Sequence, residues 1–125
     1  MNNSTQQAIE QYYAAWRAGE AEQFPFTEDF SFDGPILSVT NPDEFRGMAR
    51  QFGPMVKEVK ILEASYQSDK AFVMVEFTTN LPQVGSWIAI DYFVVEGVKI
   101  KYSRTVYDPR KLAEFMQSRQ SIALQ

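Results

Sequence analysis

The stretch from Trp87 to Asp108, WIAIDYFVVEGVKIKYSRTVYD, constrains this chain more than any other. β-Branched and aromatic residues fill two runs of strand length, and the Glu96-Gly97 break between them leaves room only for a tight turn. A single carboxylate, Asp91, interrupts the first apolar run. An ionised carboxylate buried without a partner is very costly. Asp91 is therefore exposed, paired, protonated or functional. Both faces of this run are apolar: Trp87, Ala89, Phe93 and Val95 on one, Ile88, Ile90, Tyr92 and Val94 on the other. A half-exposed antiparallel strand would alternate more cleanly. Helices in a small domain cover one face, so the other is expected to meet a second sheet, most simply in a symmetric homodimer. A central strand in a strongly curved sheet would read the same way.

The preceding chain divides into helices and strands. Ser4 to Ala18 carries a capping-box pattern at Ser4 and Gln7. Ile9, Tyr12, Tyr13 and Trp16 form one apolar helical face, and Gly19 stands where a helix ends. Glu20 to Phe26 reads as a short second helix, and Phe30 to Asp33 and Ile36 to Val39 as short extended pieces. In the first of these Phe30 and Phe32 share one face, Ser31 and Asp33 the other. Asn41 to Phe52 has a cap, a proline at its first turn and Asp43 and Glu44 to complement the helix dipole. From Val56 the period changes to two. Val56 to Gln67, Ala71 to Asn80, Ser86 to Glu96 and Val98 to Tyr107 read as an antiparallel meander. Asp108-Pro109 then opens a last helix packing through Leu112, Phe115 and Met116. Helices followed by a long antiparallel sheet predict one α+β domain over residues 1–125.

Composition narrows the function. The chain has 125 residues, 45% of them hydrophobic, enough for a real core. A net charge of −4 argues against a nucleic-acid surface. No apolar run is long enough to span a bilayer, and MNNSTQQ lacks the pattern of a signal peptide, so a cytoplasmic location is expected. With no cysteine and no histidine, thiolate chemistry, histidine bases and most transition-metal sites drop out. No metal or cofactor is expected. Acid-base chemistry falls to Asp, Glu, Tyr, Lys or Arg.

Three stretches in order, IEQYYAAWRAGEAEQFP, FTEDFSFDGP and DYFVVEGVKIKYSRTVYDPRKL, resemble the SnoaL-like group of the nuclear-transport-factor-two-like superfamily. The resemblance implies a cone-shaped curved antiparallel sheet (a cystatin-like layout) packed by N-terminal helices around a cavity, and frequent homodimers. It also implies a small-molecule partner. Beside the ketosteroid isomerases of that superfamily, Tyr12 falls on the helix tyrosine and Asp91 on the late-strand aspartate. The family's base directly precedes a proline; here Gly34 holds that place and Asp33 lies one residue earlier. The implied catalytic set is Asp33, Asp91 and Tyr12; Trp16, Phe32, Phe52, Met55, Trp87 and Phe93 are packing residues that could line the cavity as ligand contacts, and Arg104 either anchors a ligand or forms a salt bridge with Asp91 or Asp33. An epoxide-hydrolase arrangement of Asp33, Arg104 and Asp91 has the same residue types. On residues alone, Asp91 equally fits a structural pair with Arg104 across the hairpin, or with Tyr12 or Tyr13. Two functions stay open: proton transfer on a small apolar carbonyl compound, and a non-catalytic ligand-binding or dimerisation domain.

Overall fold

The computed structural model describes residues 3–124 and contains three α-helices and six strands among them. They are α1 (Asn3–Ala18), β1 (Phe26–Asp33), β2 (Ser38–Val39), α2 (Pro42–Phe52), β3 (Val56–Gln67), β4 (Lys70–Thr79), β5 (Ser86–Glu96), β6 (Lys99–Val106) and α3 (Arg110–Leu124). The strands form one open sheet in the order β2-β1-β6-β5-β4-β3. β3 to β6 make the antiparallel meander that period two predicts. The pairing of β1 with β6 is parallel, so the sheet is mixed rather than wholly antiparallel. The chain reaches β6 from β1 only after crossing α2 and the meander, a long-range pairing that no local pattern announces.

The expected second helix is a 3-10 turn at Ala21–Gln23, and β1 starts at Phe26, four residues before the alternating run. Pro25 offers no N–H, and its carbonyl accepts from Ile100 N at 2.6 Å, which draws the chain into the sheet beside β6. Gly19, at φ 68°, ends α1: Glu20 N donates to Ala15 O at 3.0 Å, closing the helix across the left-handed residue. Asn41 caps α2 by accepting from Glu44 N at 2.9 Å.

Curvature comes from irregular register. β3 shifts against β4 at two places, between Val56 and Glu58 and between Ile61 and Glu63. β6 shifts against β5 between Val94 and Val95, leaving Lys101 unpaired in the ladder. Such bulges bend a strand and increase its twist. The concave face receives α1 and α2. Phe45 of α2 is the hub, with ring centroids of Tyr12, Trp16, Phe24, Phe26, Phe30 and Phe32 at 5.1–6.2 Å. Thr5 fastens the start of α1 to the β3–β4 turn, its hydroxyl donating to Ser68 O at 2.7 Å. No helix among the described residues is long and apolar enough to cross a membrane.

Candidate functional site

The aromatic core does not fill the cone. A cavity of about 600 Å3 remains between the inner sheet face and the three helices. α1 contributes Tyr12 and Trp16, and α2 contributes Met48 and Phe52. β4 and β5 add Phe77, Trp87 and Asp91, and α3 closes one side with Leu112, Phe115 and Met116. Its size and its mostly apolar wall with a few polar groups are those of a small-molecule site. On the inner face of β5, Ala89 is the residue between Trp87 and Asp91, and it adds only a methyl group there.

Asp91 is 3% exposed and lies where core and cavity meet. The Tyr13 hydroxyl donates to its Oδ2 at 2.6 Å. Thr105, directly opposite on β6, donates a second hydroxyl hydrogen bond. Burial disfavours the charged form and pushes the Asp91 pKa up to about 6, against the pull of both hydroxyls. Burial and the Asp91 charge in turn drive the Tyr13 hydroxyl well above its ordinary value. Asp91 is the one carboxyl group that the described residues bring to the cavity wall.

Tyr12 and Tyr13 divide the roles that spacing assigned to Tyr12 alone. Tyr13 holds Asp91, while Tyr12 lines the cavity. The Tyr12 phenol is raised by burial first and by Asp91 second. The neighbouring Trp16 indole lowers it slightly, yet Trp16 Nε1 meets no partner in hydrogen-bond geometry.

Asp33 and Arg104 sit on the other side of the sheet. Phe32 turns inward to the cavity, so Asp33, one residue on, turns outward. There Asp33 accepts from Ser38 Oγ at 2.7 Å, from the Tyr102 hydroxyl at 2.7 Å and from Arg104 Nη2 at 3.3 Å. Those partners, Ser38 foremost, hold its pKa below the usual carboxylate value. An acid at Gly34 would crowd its neighbours: a Cβ there would meet the Phe32 ring at 3.1 Å and Leu37 O at 3.3 Å, so both would have to give by a few tenths of an ångström. The expectation of a base at Asp33 facing the cavity is thus corrected, and with it the Asp33–Arg104–Asp91 set.

Of the structural pairs open to these residues, Asp91–Tyr13 and Arg104–Asp33 form, and Asp91–Arg104 does not, for a related reason. At the hairpin turn Glu96 faces Lys99 and Val95 faces Ile100. Continued without a bulge, that register would set Asp91 opposite Arg104. The extra residue at Lys101 slides β6 by one, so Thr105 meets Asp91 and Arg104 meets Tyr92 on the outer face. Of the other expected contacts, Trp16, Phe32, Phe52, Met55 and Trp87 line the cavity. Phe93 does not; it is 0% exposed and packs on Tyr12 and Tyr13 with centroids at 5.1 and 6.1 Å. Thr105 was missed because its position follows from the bulge. Tyr13 was weighed only as a structural partner because helical period places it on the same face as Tyr12.

No protein-family model matches the sequence, and no curated protein matches it closely. Solved structures do. An NTF2-like protein of unknown function from Cytophaga hutchinsonii aligns with a TM-score of 0.76 at 14% identity, over 86% of this chain and 93% of its own. The chain has the nuclear-transport-factor-two-like fold. An LEH-like epoxide hydrolase of Mycobacterium tuberculosis shares that fold with a TM-score of 0.75 at 14% identity, over 98% of this chain and 95% of its own. A protein of ketosteroid isomerase-like fold from Catenulispora acidiphila, in complex with trimethylamine, aligns with a TM-score of 0.72 at 14% identity, over 81% and 85%. At such identities the shared property is architecture; within the nuclear-transport-factor-two-like fold, function resides in the side chains of each cavity.

Proposed function

We propose that the cavity binds a small, mostly apolar molecule bearing a carbonyl group, and that Asp91 exchanges a proton with it. The observation that carries this reading is a lone, buried carboxyl group with a pKa near 6 on an otherwise uncharged, aromatic-rich wall. A group titrating near the working pH is suited to accept and return protons. With Asp33 outside, the roles redistribute. Tyr12 donates its hydroxyl to the ligand oxygen. Ionised Asp91 removes a proton from the adjacent carbon and returns it to the enolate. Tyr13 and Thr105 act on Asp91 rather than on the ligand, as positioning residues. Fold relatives that include an epoxide hydrolase and a trimethylamine complex support a small-molecule site in this architecture.

A thermal-shift screen of cyclic enones, sterols and polyketide-like aromatics tests binding, since a ligand that prefers the folded state raises the melting temperature. Solvent-deuterium incorporation next to the carbonyl of any hit, followed by NMR, tests catalysis. Its rate is expected to rise with pH and level off above about 6, and Asp91→Asn is expected to abolish it while binding persists. Binding with no exchange in the native protein would leave the non-catalytic ligand-binding reading in its place. No hit across the panel would sink both.

We also propose that the outer sheet face meets a second copy of the chain. Phe72, Met74, Ile88, Ile90 and Val106 are exposed there, at 50%, 40%, 51%, 38% and 59%. An apolar patch of this kind is uncommon on a monomer. On its borders Glu63 stands beside Met74 on β3, and Arg104, paired with Asp33, stands beside Tyr92 on β6. A two-fold axis along the strands brings the β3 border of one copy against the β6 border of the other. Sedimentation velocity at micromolar concentration is expected to give a dimer, and Ile90→Lys a monomer. A monomeric native protein would end this reading.

A further inference from the structure

The cavity wall carries a negative charge that nothing on it balances. Asp91 is the one charged side chain among the described residues that line it, and none of them is a lysine or an arginine. Arg104, which an unbroken register would have brought there, stands on the outer face with Asp33. The groups around Asp91 are Tyr12 and Tyr13 of α1, Val73 of β4 and Thr105 of β6, and Tyr107 just beyond β6 also feels its charge. All of them are neutral, and burial raises the three phenols further above their ordinary value. Hydroxyl groups orient a carboxylate but leave its charge in place, and a buried charge without an opposite one is costly.

The rest of the wall suits one kind of opposite charge. Trp16, Phe52, Trp87 and Phe77 all line the cavity and touch in a closed circuit. Their centroids lie 6.3 Å apart from Trp16 to Phe52, 5.9 Å from Phe52 to Trp87, 5.7 Å from Trp87 to Phe77 and 5.9 Å from Phe77 back to Trp16. Their planes meet at 20–85°, so the rings face in several directions. Tyr107, stacked on Trp87 at 5.6 Å, extends this circuit. Ring faces carry partial negative charge and attract organic cations, most strongly where water is excluded. A hard metal ion needs several oxygen ligands, which an aromatic wall does not supply. An alkylated nitrogen needs none and presents apolar groups to the rings.

We infer that the cavity also binds alkylammonium ions, with Asp91 as the counter-ion and the aromatic circuit as the surface that receives the cation. The inference rests on the cavity being the ligand site, but not on proton exchange there. An alkylammonium ion held beside Asp91 keeps the carboxylate ionised and occupies it, so such compounds block the proton exchange proposed above.

The test compares phenyltrimethylammonium with tert-butylbenzene, which share a shape and differ in charge. Both titrations are followed through the methyl resonances of Met48 and Met55, which line the cavity. Affinity for the cation is expected to rise about tenfold from pH 5 to pH 7, as Asp91 ionises through about 6 while its neighbouring phenols stay neutral. Affinity for tert-butylbenzene is expected to stay level or fall. Asp91→Asn is expected to weaken the cation about tenfold at pH 7, to remove its pH dependence and to leave tert-butylbenzene bound. Binding of tert-butylbenzene but not of the cation at pH 7, or a cation affinity indifferent to pH, would overturn the inference and leave the cavity reading intact. The pH profile of the native protein decides the matter even if the variant folds poorly. If neither compound moves the methionine resonances, the cavity reading fails and this inference falls with it.

Discussion

Asp91 and Asp33 accept hydrogen bonds from the same kinds of donor, a tyrosine and a small hydroxyl side chain, yet they titrate in opposite directions. Asp91 takes Tyr13 and Thr105 and is pushed up to about 6; Asp33 takes Ser38 and Tyr102, with Arg104 added, and is held down. The donors pull both carboxylates the same way. Burial makes the difference: Asp91 is 3% exposed, whereas the Asp33 side chain is 39% exposed. Once a carboxylate is stripped of water, two neutral hydroxyls do not replace the lost solvation. The two faces of one sheet thus leave one aspartate a buried carboxyl group with a raised pKa and make a solvated surface ion pair of the other.

The contrast between the faces should be largest in packing. Phe93 is 0% exposed on the inner face and Phe72 is 50% exposed on the outer. Phe93→Ala is expected to cost about 3–5 kcal/mol in chemical denaturation, the range for a large buried aromatic. Phe72→Ala should cost much less in the monomeric fold. Equal losses would show that the outer face is as deeply packed as the inner.

Next in size is the titration of Asp91. Its folded pKa lies above the ordinary value of 3.8, so the folded chain holds this proton more tightly than the unfolded chain. The stability it supplies is complete below that value and is lost as pH rises through about 6. At about 1.4 kcal/mol per pKa unit, native protein should lose about 2–3 kcal/mol relative to Asp91→Asn between pH 4 and 7. A difference that stays flat would mean Asp91 titrates as if exposed. The smallest effect is expected for Asp33→Asn, with the opposite sense. Asp33 stabilises above its ordinary value and loses that contribution as pH falls through its lowered one. A larger effect from Asp33 than from Asp91 would invert the comparison.

Much of the cone was legible because short-range physics writes it. The cap at Asn41, the terminating glycine at Gly19 and the period-two runs of β3 to β6 each follow from steric and hydrogen-bonding rules acting over a few residues. The early start of β1 and its parallel seat beside β6 were not legible. They depend on a partner strand about 75 residues away, with Phe26 paired to Ile100. The face of Asp33 was readable from alternation with Phe32, and the structure keeps that alternation.

The sequence by itself determined the helices, the meander and a carboxylate in an apolar strand, because propensity and periodicity are properties of neighbouring residues. The tertiary structure decided what that carboxylate would meet. A single bulged residue, Lys101, moved Thr105 opposite Asp91 and carried Arg104 to the far face. Had the register run on unbroken, an arginine would have faced Asp91. A bulge changes which face every later side chain takes, and its position is set by how the whole sheet curves around α1 and α2.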